Sequence, residues 1–176
     1  MSNNFLVITS SLNPESNSRL LAKQAFEFLK KHGGSEYLDL RDYPLPLCDG
    51  DKAYGDKNVL EVKRKIAAAQ CIIVATPIYN FDVNAALKNL IEMTGDAWED
   101  KIVGFLCAAG GKSSYMSVMS VANSLMLDFR SLIIPRFVYA EGSDFNGDEI
   151  DDKIKDRIDE LVKQAARLTK ATLVAN

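Results

Sequence analysis

Histidine is almost missing from this chain: His32 is the single one among 176 residues. A zinc site or a Ser-His-Asp triad would have to use it. Yet it sits among Lys30, Lys31 and Gly33 at the end of a helical pattern, where a solvated residue favoured by the helix dipole is the simpler reading. Cysteine is scarce too. Cys48, Cys71 and Cys107 are odd in number, far apart and form no Cys-x-x-Cys pair. They read as free thiols, mostly packing residues, in a reducing compartment, the cytoplasm. Positive charge is not in excess: 21 Lys and Arg against 24 Asp and Glu leave a net charge of −3, which argues against a nucleic-acid partner. No apolar run reaches the length of a membrane span, so no membrane partner is expected. Met1-Ser2-Asn3-Asn4, followed by only a few apolar residues, does not read as a signal peptide.

What is present suits an α/β protein. The apolar fraction of 47% supports a substantial core, and residues 1–176 fit one domain. Residues 4–10, with Phe5-Leu6-Val7-Ile8, read as a buried strand, and 16–32 as a helix ending at Gly33-Gly34. Tyr37–Leu40 reads as a short second strand, followed by an irregular stretch in which Pro44 and Pro46 exclude helix. Residues 57–69 are helical. Cys71–Ala75 is a third strand, apolar without a break, as expected of a strand covered on both faces. A helix over 83–94, a fourth strand over Ile102–Cys107 and a helix over 113–129 follow. Leu132–Ile134 and Phe137–Tyr139 flank Pro135 in a fifth strand region, and 149–170 form a terminal amphipathic helix. The alternation predicts a five-stranded parallel sheet with helices on both faces. Its first-choice order is 2-1-3-4-5, which places a ligand site at the carboxyl ends of strands 1 and 3.

The loops at that edge are 9–18, 76–82 and 108–114. In the first, Ser10, Ser11, Asn13, Ser16, Asn17 and Ser18 crowd in front of a helix. Helix capping needs only one of them. Together, with the open N–H groups and positive dipole end of the helix, they suit a phosphate. The second, Thr76-Pro77-Ile78-Tyr79-Asn80-Phe81-Asp82, offers a stiff backbone and two aromatic rings for a flat ligand. The plainer alternative is a strand-to-helix turn, with Asn80 or Asp82 as the cap. The third, Ala108-Ala109-Gly110-Gly111-Lys112-Ser113-Ser114, lets backbone approach a ligand closely, or forms a tight turn with left-handed glycines. Gly111-Lys112-Ser113 is similar to the end of a nucleotide-triphosphate loop. However, Leu106 stands where its first glycine would be, so that reading is rejected.

With these residues in view, the chain resembles the NAD(P)H-dependent FMN reductases of the flavodoxin-like fold, whose relatives reduce azo compounds, quinones and chromate. Ser10–Ala22 resembles the family pattern G-S-x-R-x-x-S-x-N-x-x-L-A, and Thr76–Asn89 resembles T-P-E-Y-N-x-S-x-P-G-x-L-K-N. Leu38–Pro46 is similar to the segment after strand 2, and Gly110-Gly111 falls at the third flavin loop. The resemblance implies a flavodoxin-like three-layer sandwich that binds FMN. The phosphate would be held by Ser11, Asn13, Ser16, Asn17 and Ser18. The ring would lie between Pro77, Ile78, Tyr79, Asn80, Phe81 and Ala109, Gly110, Gly111, with Lys112 assisting if it points inward.

NADPH or NADH would be the reductant and a small molecule (flavin, quinone, azo compound or metal oxyanion) the electron acceptor, in ping-pong fashion. No catalytic side chain or metal is implied. The resemblance also implies a homodimer or homotetramer. The apolar fourth helix, with Tyr115, Met116, Val118, Met119, Val121, Leu125, Met126 and Leu127, suits either such an interface or burial against the sheet. Trp98 could line an interface or the open flavin face. The chain departs from the patterns at several positions. Asn13 stands for the family arginine, with Arg19 as a candidate replacement. Ser18 stands for asparagine, Ile78 for glutamate, and Asn84-Ala85 for Pro-Gly. Two other readings stay open: a flavin-binding electron carrier or sensor without NAD(P)H turnover, and a relative that no longer binds flavin.

Overall fold

The computed structural model describes residues 4–174. Met1, Ser2 and Asn3, part of the stretch compared with a signal peptide, lie outside them. The strands are β1 (Asn4–Thr9), β2 (Gly34–Asp39), β3 (Cys71–Tyr79), β4 (Asp82–Val83), β5 (Ile102–Ala109), β6 (Leu132–Ile133), β7 (Val138–Glu141), β8 (Phe145–Asn146) and β9 (Glu149–Ile150). The α-helices are α1 (Asn17–Leu29), α2 (Lys57–Ala68), α3 (Ala85–Thr94), α4 (Met119–Phe129) and α5 (Asp152–Val174). Among the described residues, no helix is long and apolar enough to cross a membrane.

The main sheet runs β2-β1-β3-β5-β6, with β7 also parallel beside β5 and β4 antiparallel beside β3. This is the expected order 2-1-3-4-5, with β6 and β7 together forming the fifth strand region. That region breaks where Pro135 has no N–H to give and Arg136 takes a φ of 60°. Alternation along the strands sorts the core. Leu6, Ile8, Ile72, Val74, Val103 and Phe105 face α2, α3 and α4. Phe5, Val7, Cys71, Ile73 and Leu106 face α1 and α5. Both faces are covered, so the strand sequences carry no polar alternation.

Several boundaries differ from the sequence reading, each for a local reason. The third strand does not end at Ala75. It runs on to Tyr79 and turns back as β4, with Ile78 paired to Val83 and Tyr79 to Asp82. Thr76–Asp82 is therefore half of a hairpin rather than a free loop. Helix α3 starts at Ala85, not residue 83, because Asn84 is its cap: Asn84 Oδ1 accepts the Leu87 N–H at 3.3 Å. The fourth helix is α-helical only from Met119, since Lys112–Val118 form tighter 3₁₀ turns with a non-helical Ser114. Glu149-Ile150 pair with β8 instead of opening the last helix. Trp98 lines neither an interface nor a ligand face. It is 0% exposed and donates its indole N–H to Thr94 Oγ1 at 2.8 Å.

Candidate functional site

Between β1 and β3 the sheet order reverses, and the chain leaves a crevice at the strand ends there. A cleft of about 710 Å³ occupies it, within the usual range for small-molecule sites. Asn13, Glu15, Ser16, Asn17 and Ser18 line one end. Pro77, Ile78, Tyr79 and Asn80 line one wall, and Ala108, Ala109, Gly110 and Gly142 the other. Of the residues singled out in the sequence, Ser11, Phe81 and Gly111 are near these walls in the chain but do not line the cleft. Glu15, Ala108 and Gly142 line it without having been singled out.

The first loop is built from below by Arg19. Its side chain is buried, and every nitrogen of its guanidinium is engaged. Nε donates to Asp39 Oδ2 at 2.9 Å, Nη2 to the Ser11 carbonyl at 2.7 Å, and Nη1 to the carbonyls of Asn13 and Pro14 at 2.6 and 3.0 Å. Arg19 therefore does not stand in for the missing arginine at position 13. It holds the underside of the loop. The peptide bonds are trans, so the Ser11 carbonyl aimed at Arg19 turns the Leu12 N–H the other way, and the Pro14 carbonyl does the same for the Glu15 N–H; after Asn13 comes Pro14, which has no N–H. Two short turns complete the shape. Ser11 Oγ accepts the Asn13 N–H at 3.3 Å, and Asn13 Oδ1 accepts the Glu15 N–H at 3.0 Å, which leaves the Asn13 amide N–H groups as donors.

Ser16 occupies the cap position of α1, yet its side chain caps nothing. Its hydroxyl pairs instead with the Ser18 hydroxyl at 2.8 Å. Side-chain capping thus fails as an account of the serine-rich loop: the Arg19 N–H donates to the Ser16 carbonyl at 3.0 Å, and no serine side chain caps the Asn17 and Ser18 N–H groups at the start of α1. Asp39, beneath them, also accepts from Arg41 Nη2 at 2.7 Å. Burial alone would raise its pKa, but the hydrogen bonds from Arg41 and Arg19 outweigh it and hold the carboxyl below the usual range.

The second wall is the β3–β4 hairpin. Its two turn residues, Asn80 and Phe81, have φ of 50° and 64°, the left-handed pair that a tight two-residue hairpin needs. A phenylalanine rarely adopts this, and Phe81 together with Tyr79 is left exposed at the rim. In the third loop neither Gly110 nor Gly111 has a positive φ, so the tight-turn reading fails. A Cβ on either would meet no protein atom within 4 Å, so the protein's own packing does not demand glycine there. Of the two, Gly110 lines the cleft. Tyr139 fixes this loop. Its phenol donates to the Gly111 carbonyl at 2.5 Å and so accepts from the Ser114 hydroxyl at 2.7 Å. Lys112 is exposed and does not line the cleft.

The cleft thus has one end rich in neutral hydrogen-bonding groups and one end with Pro77, Ile78 and Tyr79 on one side and small residues on the other. Among the described residues, the only charged one lining it is Glu15. Cys107, on β5, is fully buried and its thiol is pushed up to about 12 by that burial, so it is no nucleophile. Chemically, the hydroxyl and amide groups of Asn13, Ser16, Asn17 and Ser18 can donate to an anion, and the open wall at Ala109 and Gly110 can accept a flat group.

Comparison with known proteins agrees with the geometry. The chain is 26% identical over 137 residues to an NAD(P)H-dependent FAD/FMN reductase of Geobacillus thermodenitrificans, covering 76% of this chain and 74% of that protein. It is 28% identical over 151 residues to an FMN-dependent NADPH-azoreductase of Staphylococcus aureus, covering 82% and 80%. Among solved structures, an NAD(P)H:(acceptor) oxidoreductase flavoenzyme from Paracoccus denitrificans superposes with a TM-score of 0.78 at 18% identity, over 96% of this chain and 98% of that one. A flavodoxin from the domain Archaea superposes with a TM-score of 0.69 at 12% identity, over 95% and 99%. These likenesses show the flavodoxin-like fold. The model of the NADPH-dependent FMN reductase family matches residues 3–145, and the chain belongs to that family.

Proposed function

We propose that this protein is an FMN-dependent NAD(P)H oxidoreductase that passes electrons from NADPH or NADH to a small acceptor such as a flavin, quinone, azo compound or metal oxyanion. The observation that carries the reading is the two-ended cleft at the β1/β3 switch point. Its residues fit FMN. Asn13, Ser16, Asn17 and Ser18, with the start of α1, meet the phosphate, and Ser11 shapes the loop that presents them. Pro77, Ile78, Tyr79 and Asn80 flank the ring on one side, with Phe81 at the rim. Ala109 and Gly110 flank the other, with Gly111 anchoring that loop through Tyr139. When bound, FMN supplies two-electron redox chemistry that no side chain in the cleft possesses. The protein's own share is to hold the phosphate, place the backbone N–H of Gly110 near the ring edge where charge develops, and leave one face open.

A single open face serves reductant and acceptor in turn. Steady-state kinetics with NADPH and a quinone should therefore give parallel double-reciprocal lines. Intersecting lines that demand a ternary complex would contradict this scheme. The exposed Met116, Met126 and Leu127 on and before α4 support assembly into a homodimer or homotetramer, which sedimentation would test. The free thiols Cys48, Cys71 and Cys107 support a cytoplasmic location.

A further inference from the structure

Asn84 stands where the family pattern has proline, and it makes contacts no proline could. Its side chain is almost wholly buried, as are Ser10 and Thr76. Its Nδ2 donates to the Ser10 carbonyl at 2.8 Å. Its Oδ1 accepts from the Ser10 hydroxyl at 2.8 Å, the Thr76 hydroxyl at 3.1 Å and the Leu87 N–H at 3.3 Å. The amide orientation follows from chemistry. The reverse flip would set Nδ2 against the Leu87 donor and Oδ1 against the Ser10 acceptor. Ser10 is the root of the phosphate loop, Thr76 the root of the hairpin wall, and Asn84 the exit of that hairpin and the start of α3. One amide thus ties three parts of the cleft together.

Capping α3 would need only an oxygen, which serine or aspartate also supplies. The feature specific to asparagine is the N–H given to the Ser10 carbonyl. The Ser10 N–H is already paired with the Ala75 carbonyl at 3.0 Å. The Asn84 bond therefore fixes the other side of the same residue, at the point where the phosphate loop leaves β1. We propose that Asn84 is a positioning residue that sets the separation between the phosphate end and the ring wall, so that the cleft matches a flavin carrying its phosphorylated side chain. The proposal rests on the FMN reading of the cleft.

The test compares the full-length wild type with Asn84→Ser and Asn84→Asp. Both variants retain a capping oxygen, and both lose the donor to Ser10. Affinities for FMN and for lumiflavin, which has the ring but no ribityl phosphate, are measured by flavin fluorescence alongside thermal unfolding of the apoprotein. The expected result is FMN binding weakened by about tenfold in both variants, as for loss of one buried hydrogen bond that aligns two subsites. Lumiflavin binding should stay within about twofold, since a ring-only ligand uses one subsite. Equal weakening of both ligands, or no change in either, would overturn the proposal while leaving the FMN reading in place. A wild type that binds neither flavin would overturn the FMN reading, and this proposal with it. Should Asn84→Ser fail to fold, Asn84→Asp carries the comparison alone.

Discussion

Replacing Arg19 with methionine separates two roles that look alike in the sequence. The guanidinium could neutralise a bound phosphate, or it could hold the loop that receives one. The structure assigns the second role: four hydrogen bonds run to Asp39 and to the carbonyls of Ser11, Asn13 and Pro14. The Arg19 and Asp39 side chains are 6% and 7% exposed, so solvent screens the pair little. Removing one member of a buried pair costs roughly 3–5 kcal/mol when the other is stranded. Asp39 is not wholly stranded, because Arg41 donates to it through both side chain and backbone N–H. The lower end, about 3 kcal/mol, therefore applies, which for a chain of this size lowers the unfolding midpoint by roughly 6–12 °C. Three carbonyls lose their donor in the same step, so FMN should bind about tenfold more weakly or worse. Arg19→Lys should recover only part of both effects, since an ammonium cannot reproduce the planar fork. Thermal unfolding of the apoprotein and FMN titration measure the two effects. An Arg19→Met protein with the wild-type midpoint but lost FMN affinity would refute the reasoning, because it would mean that Arg19 meets the phosphate itself.

The remaining expectations concern the cleft, the acid limit and the thiols. Ser16→Ala together with Ser18→Ala should weaken FMN binding by about tenfold, read by fluorescence titration; unchanged affinity would remove the phosphate from this loop. Because no cationic residue lines the cleft among the described residues, wild-type FMN affinity should depend weakly on salt, whereas Asn13→Arg should tighten binding and add a clear salt dependence. Asp39 has a folded-state pKa below its unfolded value near 3.9, so its contribution to stability is present above about pH 4 and lost as pH falls through the folded pKa. Asp39→Asn should accordingly flatten the acid side of the stability profile, measured by denaturant titration from neutral pH down to about pH 3. Cys71 and Cys107 are 0% exposed and both thiols are pushed up to about 12 by burial. Only Cys48 should therefore react with an aromatic disulfide reagent in the native protein, and all three once it is unfolded.

How much of this was legible in the residues follows from what each signal encodes. Cys71–Ala75 and Ile102–Cys107 announced themselves because strands covered on both faces need unbroken apolar runs. Their alternation with amphipathic helices was enough for the sheet order, and the order placed the three loops at one edge. The β3–β4 hairpin was not legible. Its turn residues, Asn80 and Phe81, are left-handed without a glycine to mark them, and Thr76–Tyr79 reads as loop because Pro77 interrupts the apolar run. The role of Arg19 was hidden for another reason: a basic residue in a first helical turn signals an anion, and only the packing of α1 against β2 turns it toward Asp39. Asn84 read as a departure from a pattern, since its four hydrogen bonds run to three residues, Ser10, Thr76 and Leu87, that come together only in the fold. The 3₁₀ stretch Lys112–Val118 runs into α4 with no proline or glycine to mark a boundary, so it reads as one helix with α4, although its three serines are weak helix formers.

The most direct test of the central claim is the absorption spectrum of the FMN-loaded protein on anaerobic mixing with NADPH or NADH. The oxidised flavin bands should bleach with at least one nucleotide and return when a quinone is added. Bands that persist with both nucleotides would contradict it and would assign this cleft to an electron carrier instead.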